Sequence, residues 1–215
     1  MVVVAPDMQG LIRSARLRGS LCVLAMACQG CMHVYYLLGT ELSVFAGSKT
    51  SMAVLLLGVA IFLAASFLAT VYTTRNLLQN CVDLHLQAMR LQKPDLLIGS
   101  SFGGAVVARL VTLGHYRGPI LLLAPAQFRL DWLTWLGQKA SASFPSPVLV
   151  VHGSKDTIVP VADSERLVAM HSQTTQVELL IVNDNHPLLY TYKKHHREWI
   201  QRAIEIYESA EKKKD

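Results

Sequence analysis

The sequence predicts an α/β domain built on a parallel sheet, with one or two long apolar helices beside it. Three observations carry this reading. From Arg75 onward helical and strand patterns alternate, as they do when each strand of a parallel sheet is followed by a helix, with helices expected on both faces. The strand candidates are short continuous apolar runs rather than alternating ones, which marks strands covered on both faces. Finally, Asp, Glu, Lys and Arg are absent from Gly19 to Thr40 and again from Thr50 to Thr74.

A length of 215 residues fits one domain, or one domain with an appendage. Met1 to Met8 has a buried-strand pattern stopped by Pro6, so residues 1–10 form the first segment. Residues 11–74 form the second, an apolar insertion. Within it Gly19 to Thr40 is long enough to cross a bilayer but carries Gln29 and His33. Ser51 to Tyr72 is the stronger span, because it is apolar on every face and so cannot be a surface helix of a water-soluble domain. If both stretches span, Arg13, Arg16, Arg18 and Arg75 share one side, which the positive-inside tendency assigns to the cytoplasm. The expected location is therefore a membrane, with residues 75–215 cytoplasmic and Glu41 to Lys49 on the opposite side; the alternative is wholly cytoplasmic.

Residues 75–215 form the third segment. Leu77, Leu78, Cys81, Leu84, Leu86 and Met89 recur at threes and fours, predicting a helix from Arg75 to Gln92 that Pro94 ends. Leu96 to Ile98 is a short strand. An alanine- and valine-rich helix follows and stops near Gly114. Pro119 to Ala126 and Pro147 to Gly153 are apolar runs of strand length, and Phe128 to Ala142 between them, with Trp132 and Trp135, reads as a helical lid or connection. Asp163 to His171 is a helix, Gln176 to Val182 a strand, and Tyr190 to Glu211 a final amphipathic helix.

The net charge of +5 comes mainly from the early arginines and from Lys212 to Lys214. Neither group is interleaved with aromatics, so a nucleic-acid surface is not expected. Cys28-x-x-Cys31 with His33 nearby invites a metal or redox reading. However, no second pair follows at ligand spacing, and Cys22, Cys28, Cys31 and Cys81 are read as small buried thiols. No cofactor or metal is expected.

The chemistry-bearing stretch is Gly99-Ser100-Ser101-Phe102-Gly103-Gly104, set between the short strand and the helix. Gly-x-Ser-x-Gly in that setting is what a nucleophile elbow requires: Ser101 on a sharp, strained turn, with Gly99 and Gly103 expected to be the glycines that a Cβ would make collide. The helix that begins just after Ser101 would aim its free N–H groups and positive dipole end at the serine oxygen. A serine hydroxyl attacks only if a base takes its proton and a carboxylate orients that base. Asp156 follows one strand, in His152-Gly153-Ser154-Lys155-Asp156-Thr157, and His186 follows the next, in Asn183-Asp184-Asn185-His186-Pro187. Asp163 and Asp184 are competing carboxylates. His152, His195 and His196 read as structural or solvated, and His85 and His115 carry no constellation.

These residues, in the order Ser, Asp, His, resemble the second half of an α/β-hydrolase. The resemblance rests on the elbow, the acid turn and the Asn-His after the last strand. It implies Ser101 as nucleophile, His186 as general base and acid, Asp156 as its orienter, and the backbone N–H of Phe102 as one oxyanion donor. Met1 to Gly10 is similar to the family's fourth strand, whose end often reads Pro-Asp-x-x-Gly. The chain departs from the family in lacking the first three strands and the His-Gly loop that provides the second oxyanion donor. The family's third strand normally lies between the fourth and the fifth. The function implied is a serine hydrolase that cleaves an ester, thioester or amide of a small-molecule acyl substrate through an acyl-enzyme. The alternative is a weak or inactive membrane-tethered remnant of the fold acting as an interaction module. Neither the substrate nor the oligomeric state is readable from these residues.

Overall fold

The computed structural model describes residues 2–3, 49–134, 144–171 and 176–213. Its described elements are, in order, β1 (Val2–Val3), α1 (Lys49–Gln92), β2 (Leu96–Ser100), α2 (Phe102–Thr112), β3 (Ile120–Leu123), α3 (Gln127–Thr134), β4 (Val148–Gly153), α4 (Val161–His171), β5 (Val177–Val182) and α5 (Leu189–Glu211). The stretch Gly19 to Thr40, its three cysteines and residues 135–143 of the expected lid lie outside the described residues. The chain divides into two compact units, Met1–Ala5 with Asn76–Asp215, and Pro6–Arg75.

In the first unit the five strands are all parallel and run across the sheet in chain order, β1 to β5. Their apolar composition follows from their place. All four residues of β3 and all six of β4 are buried, because both strands have neighbours on each side and helices above and below. The steps β2–α2–β3 and β4–α4–β5 cross the sheet in the same direction, so the right-handed crossover rule puts α2 and α4 on one face. The long helix α5 packs back on β3 and β4. Its Trp199, Ala203 and Ile206 meet Leu96, Leu121, Leu123, Leu149 and Val151, which alternate along their strands toward that face. Each fully buried Leu or Ile side chain here stabilises the sheet by about 1.5–3 kcal/mol. The helices on both faces expected from the sequence are thus found.

β1 lies directly on β2, with Val2 opposite Leu96 and Val3 opposite Leu97. The resemblance leads one to expect another strand between these two, and β1 instead pairs with β2 directly. Helix α1 also differs from expectation. Ser51 to Tyr72 and Arg75 to Gln92 read as two elements but form one helix of 44 residues. The reason is local: no Pro or Gly follows Gly58 before Pro94, so nothing interrupts the backbone ladder. The helix ends at Gln92; Lys93 follows in a left-handed terminating conformation (φ 44°) with its N–H on Met89 O (2.9 Å), and Pro94 cannot continue the helix. Its two halves differ in environment. Leu78, Cys81, Val82 and Met89 are buried, whereas Leu56, Leu57, Ile61, Leu63, Leu68 and Tyr72 are exposed.

Leu121 is fully buried at the centre of the sheet, so Leu121→Ala is expected to lower unfolding stability by roughly 2–5 kcal/mol. Tyr190→Ala, on the exposed start of α5, should stay within about 0.5 kcal/mol. Urea midpoints of the two variants check both.

Candidate functional site

Ser101 connects β2 to α2 and has φ 50° and ψ −117°, a conformation that costs a non-glycine residue roughly 1–3 kcal/mol. Three backbone bonds hold it there: its N–H donates to Leu123 O (2.9 Å), and its carbonyl accepts from Ala126 N–H (3.1 Å) and from Ala105 N–H (3.3 Å). The close approach that the turn needs falls on Gly99. A Cβ there would lie 2.6 Å from the Gly103 carbonyl oxygen and 2.8 Å from Gly104 Cα. Gly103 does not play the part expected of it. A Cβ on Gly103 would meet nothing within 4 Å. The second tight glycine is Gly104, whose added Cβ would press on Pro125 at 3.0 Å. Phe102 is the first residue of α2, so its N–H has no acceptor within the helix.

The three side chains singled out from the sequence meet. Ser101 Oγ lies 2.8 Å from His186 Nε2, and His186 Nδ1 lies 2.7 Å from Asp156 Oδ2. The imidazole side chain is 12% exposed and the carboxylate 0%. In the neutral ring the carboxylate can only accept, so Nδ1–H donates to it, leaving Nε2 as the acceptor for the serine O–H. The second carboxylate oxygen, Oδ1, accepts the N–H groups of Ile158 (2.8 Å) and Val159 (2.9 Å). Burial by itself pushes the Asp156 carboxyl up. The His186 hydrogen bond, the two backbone N–H groups and the attraction of the imidazolium together outweigh it and hold the group below the ordinary aspartate value.

The acid loop and the histidine loop are joined through their backbones. Ser154 N–H donates to Val182 O and Lys155 N–H to Asp184 O. Gly153 permits this approach, since a Cβ there would stand 2.5 Å from Asp184 O and 2.7 Å from Asn185 O. Sequence reasoning quoted this glycine in the acid turn without giving it a role. The competing carboxylates are otherwise engaged. Asp184 Oδ2 accepts from the N–H and Oγ1–H of Thr191 in the first turn of α5, and Asp163 sits in the first turn of α4, 3.9 Å from Arg129 Nε.

The remaining histidines separate clearly. His152 is not solvated: it is fully buried, bonded to Ser164 Oγ and Val159 O, and 3.2 Å from Asp156 Oδ2. Nothing in the sequence pattern joins Ser164 to this group, since it comes from a helix face. His195 pairs with Glu198, His196 Nδ1 lies on Tyr192 O, and His85 Nδ1 on Cys81 O. Among the described residues no cluster of His, Cys, Asp and Glu could hold a metal ion.

No protein-family model and no curated protein sequence matches the chain. Solved structures do. Est1E from Butyrivibrio proteoclasticus is similar over 59% of this chain and 70% of its own, at 16% identity and a TM-score of 0.50. A meta-cleavage product hydrolase from Pseudomonas fluorescens is similar over 62% of this chain and 72% of its own, at 13% identity and a TM-score of 0.48. An α/β serine hydrolase homologue from Coxiella burnetii is matched over 50% of this chain, at 20% identity and a TM-score of 0.40, and the chain spans about half of that protein's length (48%). The parallel sheet, the helices around it and the likeness to Est1E show an α/β-hydrolase-like fold.

Proposed function

We propose that the chain is a serine hydrolase that cleaves an ester, thioester or amide through an acyl-enzyme on Ser101. The observation that carries this reading is the unbroken line of hydrogen bonds Ser101 Oγ, His186 Nε2, His186 Nδ1, Asp156 Oδ2. His186 takes the hydroxyl proton as Ser101 Oγ attacks the acyl carbon, and Asp156 steadies the imidazolium that forms. His186 then returns the proton to the leaving alcohol, thiol or amine. Water repeats the cycle on the acyl-serine. The N–H of Phe102, at the positive end of α2, is the oxyanion donor this chain's described residues support. A second donor would add on the order of 10²–10³ in turnover. The partner is a small-molecule acyl substrate.

The same chain is proposed to associate with a membrane through Ser51 to Tyr72. Leu56–Gln92 contains an 18-residue window of mean hydropathy 2.1, none of it buried in the protein. Ser51 to Tyr72 would span roughly 33 Å at 1.5 Å per residue, enough for a hydrocarbon core of about 30 Å. If Gly19 to Thr40 spans as well, Arg13, Arg16, Arg18 and Arg75 share one side, which favours a cytoplasmic hydrolase region.

A fluorophosphonate probe, which phosphonylates an activated serine, is expected to label the folded chain and to fail with Ser101→Ala. Asp156→Asn should slow labelling on the order of 10⁴-fold, because the asparagine favours the wrong imidazole tautomer. Absence of labelling in folded wild-type protein would instead favour a non-catalytic interaction module.

The lowered Asp156 carboxyl also makes a pH prediction. The native chain binds fewer protons there than the unfolded chain at acidic pH. Its contribution to stability is therefore complete above about pH 4, the ordinary aspartate range, and is lost as pH falls through the lower native value. The stability gap between wild type and Asp156→Asn should shrink on acidification, measured by denaturant titration at each pH.

If the apolar half of α1 inserts into lipid, the purified chain requires detergent or vesicles to remain monodisperse. Sedimentation of a detergent-free monomer would end the membrane assignment.

A further inference from the structure

Asp156 Oδ2 faces two imidazoles rather than one. His186 Nδ1 approaches it at 2.7 Å and His152 Nε2 at 3.2 Å. Both the carboxylate and the His152 ring have no exposed side-chain surface, so water does not supply the contact. The protonation pattern of His152 follows from its neighbours. Nε2 lies 2.9 Å from Val159 O, and a carbonyl can only accept, so Nε2 carries the hydrogen. In the neutral ring Nδ1 then accepts the hydroxyl hydrogen of Ser164, 2.6 Å away on α4. The Nε2–H is therefore committed to Val159 O, and Asp156 Oδ2 stands beside the ring at 3.2 Å.

This places His152 at a junction. Val159 N–H donates to Asp156 Oδ1, and Val159 C=O accepts from His152, so one residue is tied to the acid through its amide and to the buried ring through its carbonyl. The ring hangs from the end of β4, one of the most buried strands, and is anchored to α4 by Ser164. A carboxylate on a turn can rotate about its Cα–Cβ and Cβ–Cγ bonds. Oδ1 is held by two N–H groups, and one of them belongs to Val159, which the ring fixes to the sheet and helix, so one rotamer keeps these bonds while aiming Oδ2 at His186.

We propose that His152 is a positioning residue for the acid: its Nε2–H holds the Val159 carbonyl, and the Val159 N–H in turn holds Asp156 Oδ1, so that Oδ2 stays toward His186. It touches neither substrate nor reacting atoms, and its bearing on turnover rests on the serine-hydrolase reading above. Misplacing a catalytic group by about 1 Å can cost on the order of 10² in rate, which bounds the effect.

The test compares His152→Phe, His152→Gln and Ser164→Ala in the full chain. Phenylalanine fills the space without a donor. Glutamine carries an N–H at the reach of Nε2. Two readouts are taken: the rate of fluorophosphonate labelling, and the proton NMR resonance of the His186 Nδ1–H hydrogen bond to Asp156 in 15N-histidine protein. His152→Phe is expected to slow labelling about 10- to 100-fold and to broaden or shift the resonance, His152→Gln to recover most of both, and Ser164→Ala to fall between. Equal loss in the Phe and Gln variants, with both folded, would reduce His152 to a packing residue and overturn the proposal. So would wild-type rate and resonance in His152→Phe. If that variant does not fold, His152→Gln and Ser164→Ala decide: a preserved resonance in Gln with a disturbed one in Ser164→Ala supports the role, and identical wild-type behaviour in Ser164→Ala together with a lost resonance in Gln refutes it. Should wild type itself fail to label while the resonance still responds to His152, the hydrolase reading falls and the positioning role stands.

Discussion

The strained backbone of Ser101 is the constraint on which the site depends. At φ 50° and ψ −117° the residue can turn the chain from a buried strand into a helix within one peptide, and that sharpness lifts its side chain clear of both elements. The strain of roughly 1–3 kcal/mol persists only because the surroundings determine the conformation several times over. β2 is held by β3 on one side, α2 buries Val106, Val107, Leu110 and Val111, and the Ser101 amide and carbonyl are both bonded. Gly99 completes the arrangement by leaving no Cβ where the Gly103 carbonyl must pass. Relaxing any of these would let Ser101 return to an ordinary helical or extended conformation, and its oxygen would leave the rim.

A parallel sheet then solves the problem of bringing distant residues together. In parallel strands every carboxyl end lies on one edge, so residues that follow different strands gather without long connections. The register makes this concrete: Ser100 is opposite Leu123, Leu123 opposite Val151, and Gly153 opposite Val182. The elbow, the acid turn and the histidine loop begin at nearly the same level. The last few ångströms are closed by Ser154 and Lys155 donating to the opposite loop and by the absent side chain of Gly153.

Much of this was legible in the sequence, and the physical reason is that the legible parts are locally encoded. Buried parallel strands must be continuously apolar, and Ile120–Leu123 and Val148–Gly153 were found within the runs read for them. The elbow needs small residues at fixed offsets from a serine. The illegible parts depend on what lies across space. Gly103 and Gly104 are indistinguishable as letters, and only the approach of Pro125 shows that the second is the crowded one. His152 reads as structural or solvated, and that the first holds shows only in space, because its partner Ser164 comes from the face of another helix. The merging of the apolar and amphipathic stretches into α1 was missed for a different reason: a change of hydrophobic pattern was taken for a boundary, while the backbone, free of Pro and Gly there, had no cause to stop.

The choice among Asp156, Asp163 and Asp184 shows why residue type and position along a strand are insufficient and hydrogen-bond capacity decides. An ionised carboxylate has about four acceptor directions and must have donors in them if it is buried. Asp184 commits Oδ2 to Thr191 twice and Oδ1 to Asn185 N–H, so its oxygens serve the start of α5. Asp163, partly exposed at the first turn of α4, favours that helix end by its charge and stands 3.9 Å from Arg129. Asp156 alone has one oxygen satisfied by its own turn and the other turned to His186, with no exposed side-chain surface. Burial without those donors would neutralise it, and a neutral carboxyl gives an imidazole neither the tautomer nor the counter-charge that proton removal from a serine requires. Those donors hold its carboxyl below the ordinary aspartate value despite burial, so the group stays charged beside the His186 ring.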